Sequence, residues 1–331
     1  MTTSQDAVRI LQARDFSPRQ ARFLTLAALT SGFCLRRQYA SFAGIGDGAC
    51  VHRLFARLVA YRWAEPFRFA ANRGYVYDLA GLARAVGHEE GQYRVGVSAA
   101  LVARKVMLLD AVVGAPAVEW HVAEGDKVEL LREHFDVPEF DLPQRIYSVR
   151  RPTRHAVIRY FTERQPIGLQ GDPPTIHFVY LATTERVQGF EHFLWQHAPL
   201  FRHLLRWTVV ITYPPSVGDV SRYRRAFAAF AKRWLRCDAL RDLDAVRWYF
   251  KKRRALDQRD WTNIAVTDAP RFQKLRRCFS NERTEMLYRR WLTDGDAAFE
   301  PLAMPAPPCG DLVMQRLDHS YDQFGQLPGE C

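Results

Sequence analysis

The sequence predicts a mixed α+β protein, and three observations support that prediction. The chain has 331 residues, of which 48% are hydrophobic, 13% aromatic and 25% charged, as in an ordinary globular protein of about two domains. Residues 1–80 combine helical periodicity with a β-hairpin pattern. Residues 141–213 contain strand-like segments around a helix, and residues 221–292 are helical and very basic.

The first strong helix has clear start and stop signals. Ser17 is a good N-cap, Pro18 suits the first helical position, and Gln20 stands where a capping box needs its return partner. Apolar residues then recur at helical spacing as far as Leu29. Gly32 is expected to end the helix in a left-handed conformation.

Two further helices are predicted over residues 35–42 and 49–60, with a glycine-rich turn between them. Gly44, Gly46 and Gly48 follow a helix rather than a strand, and no Gly-Lys-Ser/Thr follows them. They therefore indicate the turn between two helices and not a phosphate-binding loop.

The third of these helices has two chemically different faces. Its apolar face follows the i, i+3, i+4, i+7 rule and contains Val51, Leu54, Phe55 and Leu58. His52, Arg53 and Arg57 point the other way. Arginine reaches phosphates and can pair bidentately with guanine, so this second face has the chemistry of a DNA recognition helix.

A strand–turn–strand pattern from Trp63 to Leu79 completes this part of the chain. Arg68, Asn72 and Arg73 lie where a wing would touch the DNA backbone or minor groove. Three helices followed by a hairpin form the outline of a winged helix-turn-helix, which lays one helix in the DNA major groove. We therefore predict a winged helix-turn-helix DNA-binding domain over residues 1–94.

The charge of the chain favours a polyanionic partner. The formal net charge is +11, and residues 1–80 contain eleven arginines, no lysine and five acids. Such a surplus favours double-stranded DNA as the partner. Winged-helix folds also bind proteins, so a protein-interaction adaptor remains an alternative.

An apolar helix is predicted over residues 95–113, within a connecting region that extends to residue 140. It is apolar over more than one stripe, which indicates burial on several sides. Two interpretations stay open: a helix that links the domains, or a dimerisation helix of a homodimer.

An α/β domain with a basic helical C-terminal part is predicted over residues 141–300. Its strand-like segments are residues 147–149, 156–161, 175–181 and 207–213, and residues 189–205 are helical. This domain could also contact a protein partner. From residue 222 to 291 the chain has twenty lysines and arginines against eight acids.

The most concentrated basic run of that region is Lys251, Lys252, Arg253 and Arg254. Two interpretations are open for it, a DNA phosphate-contacting patch or a solvated helix end. Residues 301–331 form a Pro-rich tail that we expect to be extended or disordered.

Catalytic motifs are missing from the sequence. A metal-dependent nuclease needs an acid two residues before a lysine on a strand, and none of the six lysines has one. Asp172, Glu185 and Glu191 are isolated carboxylates, and no Cys-x-x-Cys or zinc-type histidine spacing occurs. We predict no catalytic residue, metal or cofactor, and a metal-dependent or degenerate nuclease is the alternative.

The sequence also bears on location. It contains no run of 18 or more apolar residues and no secretory signal, and its six cysteines are scattered. We expect a cytoplasmic protein with free thiols and no membrane partner.

Four segments resemble the winged helix of replication-relaxation-type proteins, a family of bacterial plasmids and integrated mobile elements. They are residues 17–24, 36–39, 54–59 and 75–79. In this family the module precedes an α/β domain similar to restriction endonucleases and often degraded in catalytic residues. The resemblance implies a DNA-binding regulatory or accessory role in element maintenance, transfer or defence. It implies DNA contact by Arg36, Arg37, His52, Arg53, Arg57, Arg68 and Arg73, to which we add Gln38 and Asn72.

Overall fold

The computed structural model describes most of the chain. The described residues are 4–68, 75–87, 98–149, 155–161, 165–237, 243–260, 262, 265–279, 282–302, 309–321 and 324. They contain twelve α-helices and three β-sheets, so the predicted α+β class is confirmed. The chain divides into two compact units, residues 1–226 with 308–331 and residues 227–307.

Five helices and one small sheet form the N-terminal part of the first unit. The elements are α1 (Ser4–Gln12), α2 (Pro18–Thr30), β1 (Phe33–Cys34), α3 (Arg36–Ala43), α4 (Ala49–Ala60), β2 (Glu65–Phe67), β3 (Val76–Asp78) and α5 (Ala80–Ala85). The three strands pair antiparallel in the order β1-β3-β2. The capping box of Ser17 and Gln20 is present, and Gly32 has a φ of 71° beyond the end of α2, as predicted.

Helix α6 (Ala99–Val113) lies between this part and the larger sheet. It contacts α2, α3, β1 and β8 (Thr175–Leu181). More than half of its side chains are buried, namely Val102, Ala103, Val106, Met107, Leu108, Leu109, Ala111 and Val112. Its apolar surface is therefore largely covered within the chain, in agreement with the burial on several sides that its sequence predicts.

The rest of the first unit is built on a five-stranded mixed sheet. Its elements are β4 (Glu119–His121), α7 (Glu124–Phe135), β7 (Ile167–Gln170), β8, α8 (Gln188–Phe201), β9 (Arg206–Tyr213) and β10 (Cys309–Arg316). The strand order is β10-β9-β8-β7-β4, with β8, β9 and β10 parallel and the other pairs antiparallel. A separate antiparallel ribbon consists of β5 (Gln144–Val149) and β6 (His155–Tyr160).

Strand β10 corrects the prediction for residues 301–331, because part of this Pro-rich segment pairs with the central sheet. All eight of its residues are in register with β9. A Cβ atom at Gly310 would lie 2.2 Å from the ring of Trp207, so the glycine lets the strand approach the indole closely. This packing partner is about a hundred residues away in the chain and leaves no local sequence signal.

The second unit is helical. Helix α9 (Ser221–Cys237) leads into it, and α10 (Leu243–Asp257), α11 (Ala269–Cys278), α12 (Glu282–Asp294) and a 3-10 segment (Gly295–Leu302) follow. Its core is aromatic: the ring of Phe250 lies 5.1 Å from Tyr288, 5.7 Å from Trp291 and 5.8 Å from Phe299. These aromatic residues, which are interleaved with basic ones in the sequence, therefore serve packing.

Candidate nucleic-acid interface

The turn between α3 and α4 is fixed by a glycine and by an arginine. Gly44 has a φ of 64° and caps α3 in the left-handed conformation. The Arg19 guanidinium of α2 donates from Nη1 to the carbonyl of Ala43 at 3.2 Å. Helix α2 is thereby tied to the end of α3, just before the chain enters α4.

The two predicted faces of α4 are confirmed. Its apolar face, Val51, Leu54, Phe55 and Leu58, is buried, and the ring of Phe55 lies 4.4 Å from that of Tyr77 on β3. His52 and Arg53 are exposed on the opposite side. The small sheet therefore braces the back of α4 while its front stays open to solvent.

Arg36 and His52 connect the exposed surfaces of α3 and α4. The Arg36 Nη1 atom lies 2.9 Å from His52 Nδ1 and 3.1 Å from Nε2. A guanidinium only donates, so the imidazole accepts in this contact. Asp47, whose Oδ1 lies 3.7 Å from His52 Nε2, is the single acid between residues 36 and 64. The surface thus keeps a positive balance.

Arg53 is the side chain of α4 that remains available. It is exposed, and within the described part of the chain it makes no hydrogen bond or ion pair. It lies next to His52 in the sequence and on the same exposed side. A guanidinium in this setting can bind a phosphate or a guanine edge without breaking an internal contact.

Arg57, one turn further along α4, is used internally. Its Nη2 and Nη1 atoms donate to the carbonyls of Arg14 at 2.6 Å and Asp15 at 3.1 Å. The guanidinium also covers the ring of Phe16 at 4.1 Å. These contacts hold the α1–α2 connection against α4. The Arg57 side chain is therefore engaged within the protein, whereas that of Arg53 is exposed.

Arg37 likewise points into the molecule. Its guanidinium makes two hydrogen bonds, of 2.7 and 2.8 Å, to the carboxylate of Asp110 on α6. Burial alone would lower the pKa of Arg37, but the hydrogen bond and charge of Asp110 raise it above its ordinary value. The Tyr321 hydroxyl donates to the same carboxylate at 2.6 Å. Arg37 thus joins α3 to α6.

Gln38 has no accessible surface. It is 0% exposed, its Nε2 donates to the carbonyl of Val106 at 2.9 Å, and its Oε1 accepts from the Leu35 amide at 2.8 Å. A side chain in this position caps α3 and anchors it to α6. It offers nothing to an external ligand.

The described part of the β-hairpin places one predicted residue at the surface. Arg68 donates from Nη2 to the Tyr75 hydroxyl at 2.8 Å, and its guanidinium lies 4.3 Å from the centre of that ring. This contact joins the two sides of the hairpin just beyond the last strand pair, Phe67 and Val76. Asn72 and Arg73 lie outside the described residues.

Two residues of the basic run on α10 form ion pairs within the second unit. Lys252 Nζ lies 2.7 Å from Asp268, and Arg253 Nη2 lies 2.6 Å from Glu285. The hydrogen bond from Lys252 lowers the pKa of Asp268, and that from Arg253 lowers the pKa of Glu285. These two charges hold helices together.

The other two residues of the run are exposed. The Arg254 guanidinium lies 5.6 Å from the ring centre of Trp291, and Lys251 makes no contact of this kind in the described part of the chain. The run is thus divided between internal pairing and exposure, and it does not form one continuous basic patch.

Arg19 and Arg22 on α2 are further exposed cations near this surface that the sequence motifs do not single out as DNA contacts. Both are exposed, and Arg19 borders the α3–α4 turn through its bond to Ala43. A signal existed: a positive charge in the first turn of a helix opposes the helix dipole, so arginine at the second position of α2 is unfavourable for the helix alone.

The isolated carboxylates of the sheet do not assemble into a metal site. Asp172 lies in the β7–β8 turn, Glu185 Oε1 accepts from the Asp219 amide at 3.1 Å, and Glu191 lies on α8. Among the described residues, no group of three or more His, Cys, Asp or Glu side chains could hold a metal ion.

A small crevice beside α8 is lined mainly by apolar side chains and by His197. Burial lowers the pKa of His197 to about 4, and its Nδ1 donates to the carbonyl of Phe193 at 2.9 Å. The imidazole is therefore neutral at pH 7. Among the described residues, no carboxylate lines the crevice.

Comparison with known proteins gives no family assignment. No protein-family model matches the chain, and neither a curated protein nor a solved structure shows significant similarity to it. In the described part of the chain, every helix is too short or too polar to cross a membrane.

Proposed function

We propose that this chain is a sequence-specific double-stranded DNA-binding protein and that residues 4–87 form a winged helix-turn-helix. The order of helices, the antiparallel β1-β3-β2 sheet and the apolar back of α4 support the proposal. In this module α4 is the recognition helix, and the β2–β3 hairpin is the wing.

The single observation that carries the proposal is the state of Arg53. It is exposed on the front of α4 and uncommitted within the described residues, next to the contact between Arg36 and His52. We assign base or phosphate contact to these three side chains and backbone contact to Arg68. Arg37, Gln38 and Arg57 support this surface from behind.

The proposed biological role rests on the resemblance to replication-relaxation-type proteins. It is that of a cytoplasmic, non-catalytic regulatory or accessory factor of a bacterial mobile element or defence system. The lack of a carboxylate–lysine motif supports the non-catalytic part.

Footprinting on the DNA that flanks its own gene tests this function. Fluorescence anisotropy then compares the protected duplex with a scrambled one for the wild type, Arg53→Gln and Arg9→Gln. Arg9 is a matched control because it is an exposed arginine on α1, where it pairs with Asp6 at 3.6 Å. Arg53→Gln should cost about 1–3 kcal/mol on the protected duplex and relax the preference, and Arg9→Gln should change little.

Two results would contradict the proposal. One is the absence of a preferred duplex at physiological salt, and the other is equal behaviour of Arg53→Gln and Arg9→Gln. Incubation of plasmid with the protein and Mg²⁺ or Mn²⁺ separates a nuclease, which degrades it, from a DNA-binding factor, which leaves it intact.

A further inference from the structure

Helix α11 is a basic helix without acids. Its sequence, Ala-Pro-Arg-Phe-Gln-Lys-Leu-Arg-Arg-Cys, contains four basic residues in ten. Arg271, Lys274 and Arg276 are exposed. At 1.5 Å per residue the helix is about 15 Å long, so this charge is concentrated on a short rod.

The opposite side of α11 packs on the aromatic core of the second unit. Phe272 and Leu275 contact that core, and the rings of Phe272 and Tyr249 stack at 5.2 Å. The Arg271 guanidinium lies 4.4 Å from the ring centre of Trp248 on α10. Packing therefore fixes the helix and directs its cations outward.

Five other basic residues of this unit pair with nearby acids. Glu285 pairs with Arg253 at 2.6 Å and with Arg289 at 3.5 Å, and Asp294 pairs with Arg290 at 3.2 Å. Asp296 and Asp268 pair with Arg247 and Lys252. These acids lie just before α11, on α12 and in the 3-10 segment that follows α12.

None of these ion pairs includes a basic residue of α11. Asp268 at its start lies near Arg271 and is already bound to Lys252. Lys274 and Arg276 form no ion pair or hydrogen bond within the described part of the chain. Two exposed, unpaired cations on a fixed helix constitute a surface for an anionic polymer.

We propose that the exposed face of α11 is a second DNA-binding surface, which contacts the phosphate backbone without reading sequence. The choice of duplex DNA as the polymer rests on the proposed function. An anionic membrane suits this helix poorly, because its apolar side chains Phe272 and Leu275 are used in the core and cannot insert. Phosphate contacts of this kind add affinity and salt dependence but no specificity.

The test uses the full chain with the double substitution Lys274→Gln/Arg276→Gln. Its control is Arg289→Gln/Arg290→Gln, which removes the same charge from the same unit at acid-paired positions. The binding constant is measured against salt concentration on the footprinted duplex and on a scrambled one. For two lost phosphate contacts, the slope of log K against log salt should become shallower by about 1.8.

The expected pattern is specific to this surface. The α11 variant should lose the same factor of affinity on both duplexes and keep the wild-type preference between them, while the control keeps the wild-type slope. Both variants should unfold at the wild-type temperature because the four side chains are exposed. Single Lys274→Gln should shift the slope by about half as much.

Equal slopes for the α11 variant and its control would overturn the inference. A second result would also overturn it. The wild-type protein would bind an RNA hairpin or anionic vesicles more tightly than duplex DNA, and the α11 variant would lose that binding. The proposed function fails separately, when the wild type prefers no duplex or Arg53→Gln has no effect. A preference that depends on Arg53 combined with unchanged α11 slopes rejects the second surface alone.

Discussion

The guanidinium of Arg37 on α3 and the carboxylate of Asp110 on α6 face each other in two parallel hydrogen bonds, 2.7 and 2.8 Å long. The Tyr321 hydroxyl, which is more than 200 residues away in the sequence, donates to the same carboxylate at 2.6 Å. Three segments that are distant in sequence therefore meet at one carboxylate. Because Arg36 is the neighbour of Arg37, this cluster also fixes the position of the surface that we assign to DNA.

Asp110→Ala should destabilise the first unit by about 2–3 kcal/mol. The substitution leaves the Arg37 charge and the Tyr321 hydroxyl without their acceptor, and the Arg37 side chain keeps 29% exposure, which moderates the loss. Urea unfolding measures it. Glu133→Ala, which removes an exposed partner of Arg132, is the control and should stay within about 0.5 kcal/mol. Equal effects of the two substitutions would contradict the structural role of the cluster.

Arg53 and Arg57 should behave differently although they lie one turn apart. Arg57→Ala removes two hydrogen bonds to backbone carbonyls and the contact with Phe16, and should cost about 1–2 kcal/mol of unfolding free energy. Arg53→Ala should change stability by less than about 0.5 kcal/mol.

The DNA-binding results should show the opposite pattern. Folded Arg57→Ala protein should keep the wild-type preference between target and scrambled duplex, and Arg53→Ala should lose much of it. Loss of preference in Arg57→Ala at unchanged stability would show that its guanidinium leaves the internal site to contact DNA.

Protonation of His197 should destabilise the protein in acid. Its pKa is about 4 in the folded state against an ordinary 6.5, because burial penalises the charged ring. Between these values the unfolded chain binds a proton that the folded chain does not. The loss of stability is thus negligible well above pH 6.5, grows as the pH falls below that value and amounts to about 3 kcal/mol by pH 4.

Unfolding free energies of the wild type and His197→Gln from pH 8 to 4 isolate this effect. Burial also lowers the pKa values of His121 and His177, but both proteins retain those residues. The difference between the two curves should therefore narrow by up to about 1.4 kcal/mol per pH unit below 6.5. Parallel curves would show that folding does not lower the pKa of His197.

Gly310→Ala should test strand β10 directly. The added Cβ would lie 2.2 Å from the Trp207 ring, which forces the strand or the indole to move and should cost about 1–3 kcal/mol. Gly46→Ala is the control, since nothing lies within 4 Å of its added Cβ. Equal stability of Gly310→Ala and the control would contradict the close packing of β10 against Trp207.

The local signals in the sequence predicted much of the N-terminal part. The capping box at Ser17, the left-handed Gly32 and the periodicity of α4 are each decided by residues within a few positions of one another. The apolar back of α4 could be predicted for the same reason. Helix α6 was also predicted, although the neighbours that bury it were not.

The availability of individual arginines could not be predicted from the sequence. Arg53 and Arg57 have the same chemistry on the same helix, and they differ only because Arg57 reaches the carbonyls of Arg14 and Asp15. Arg37 is likewise distinguished from Arg36 by Asp110, which is 73 residues away. Such partners are set by tertiary packing, and so is the pairing of β10 with β9.

That last pairing has a consequence for synthesis of the protein. Strand β9 ends at Tyr213, and its outer neighbour β10 begins only at Cys309, after the whole helical unit. At about 5–20 residues per second, a ribosome takes on the order of 10 s to make the intervening segment. During that time the hydrogen-bonding groups along the free edge of β9 lack their β10 partners, so the nascent chain is vulnerable to edge-to-edge aggregation until β10 has been made.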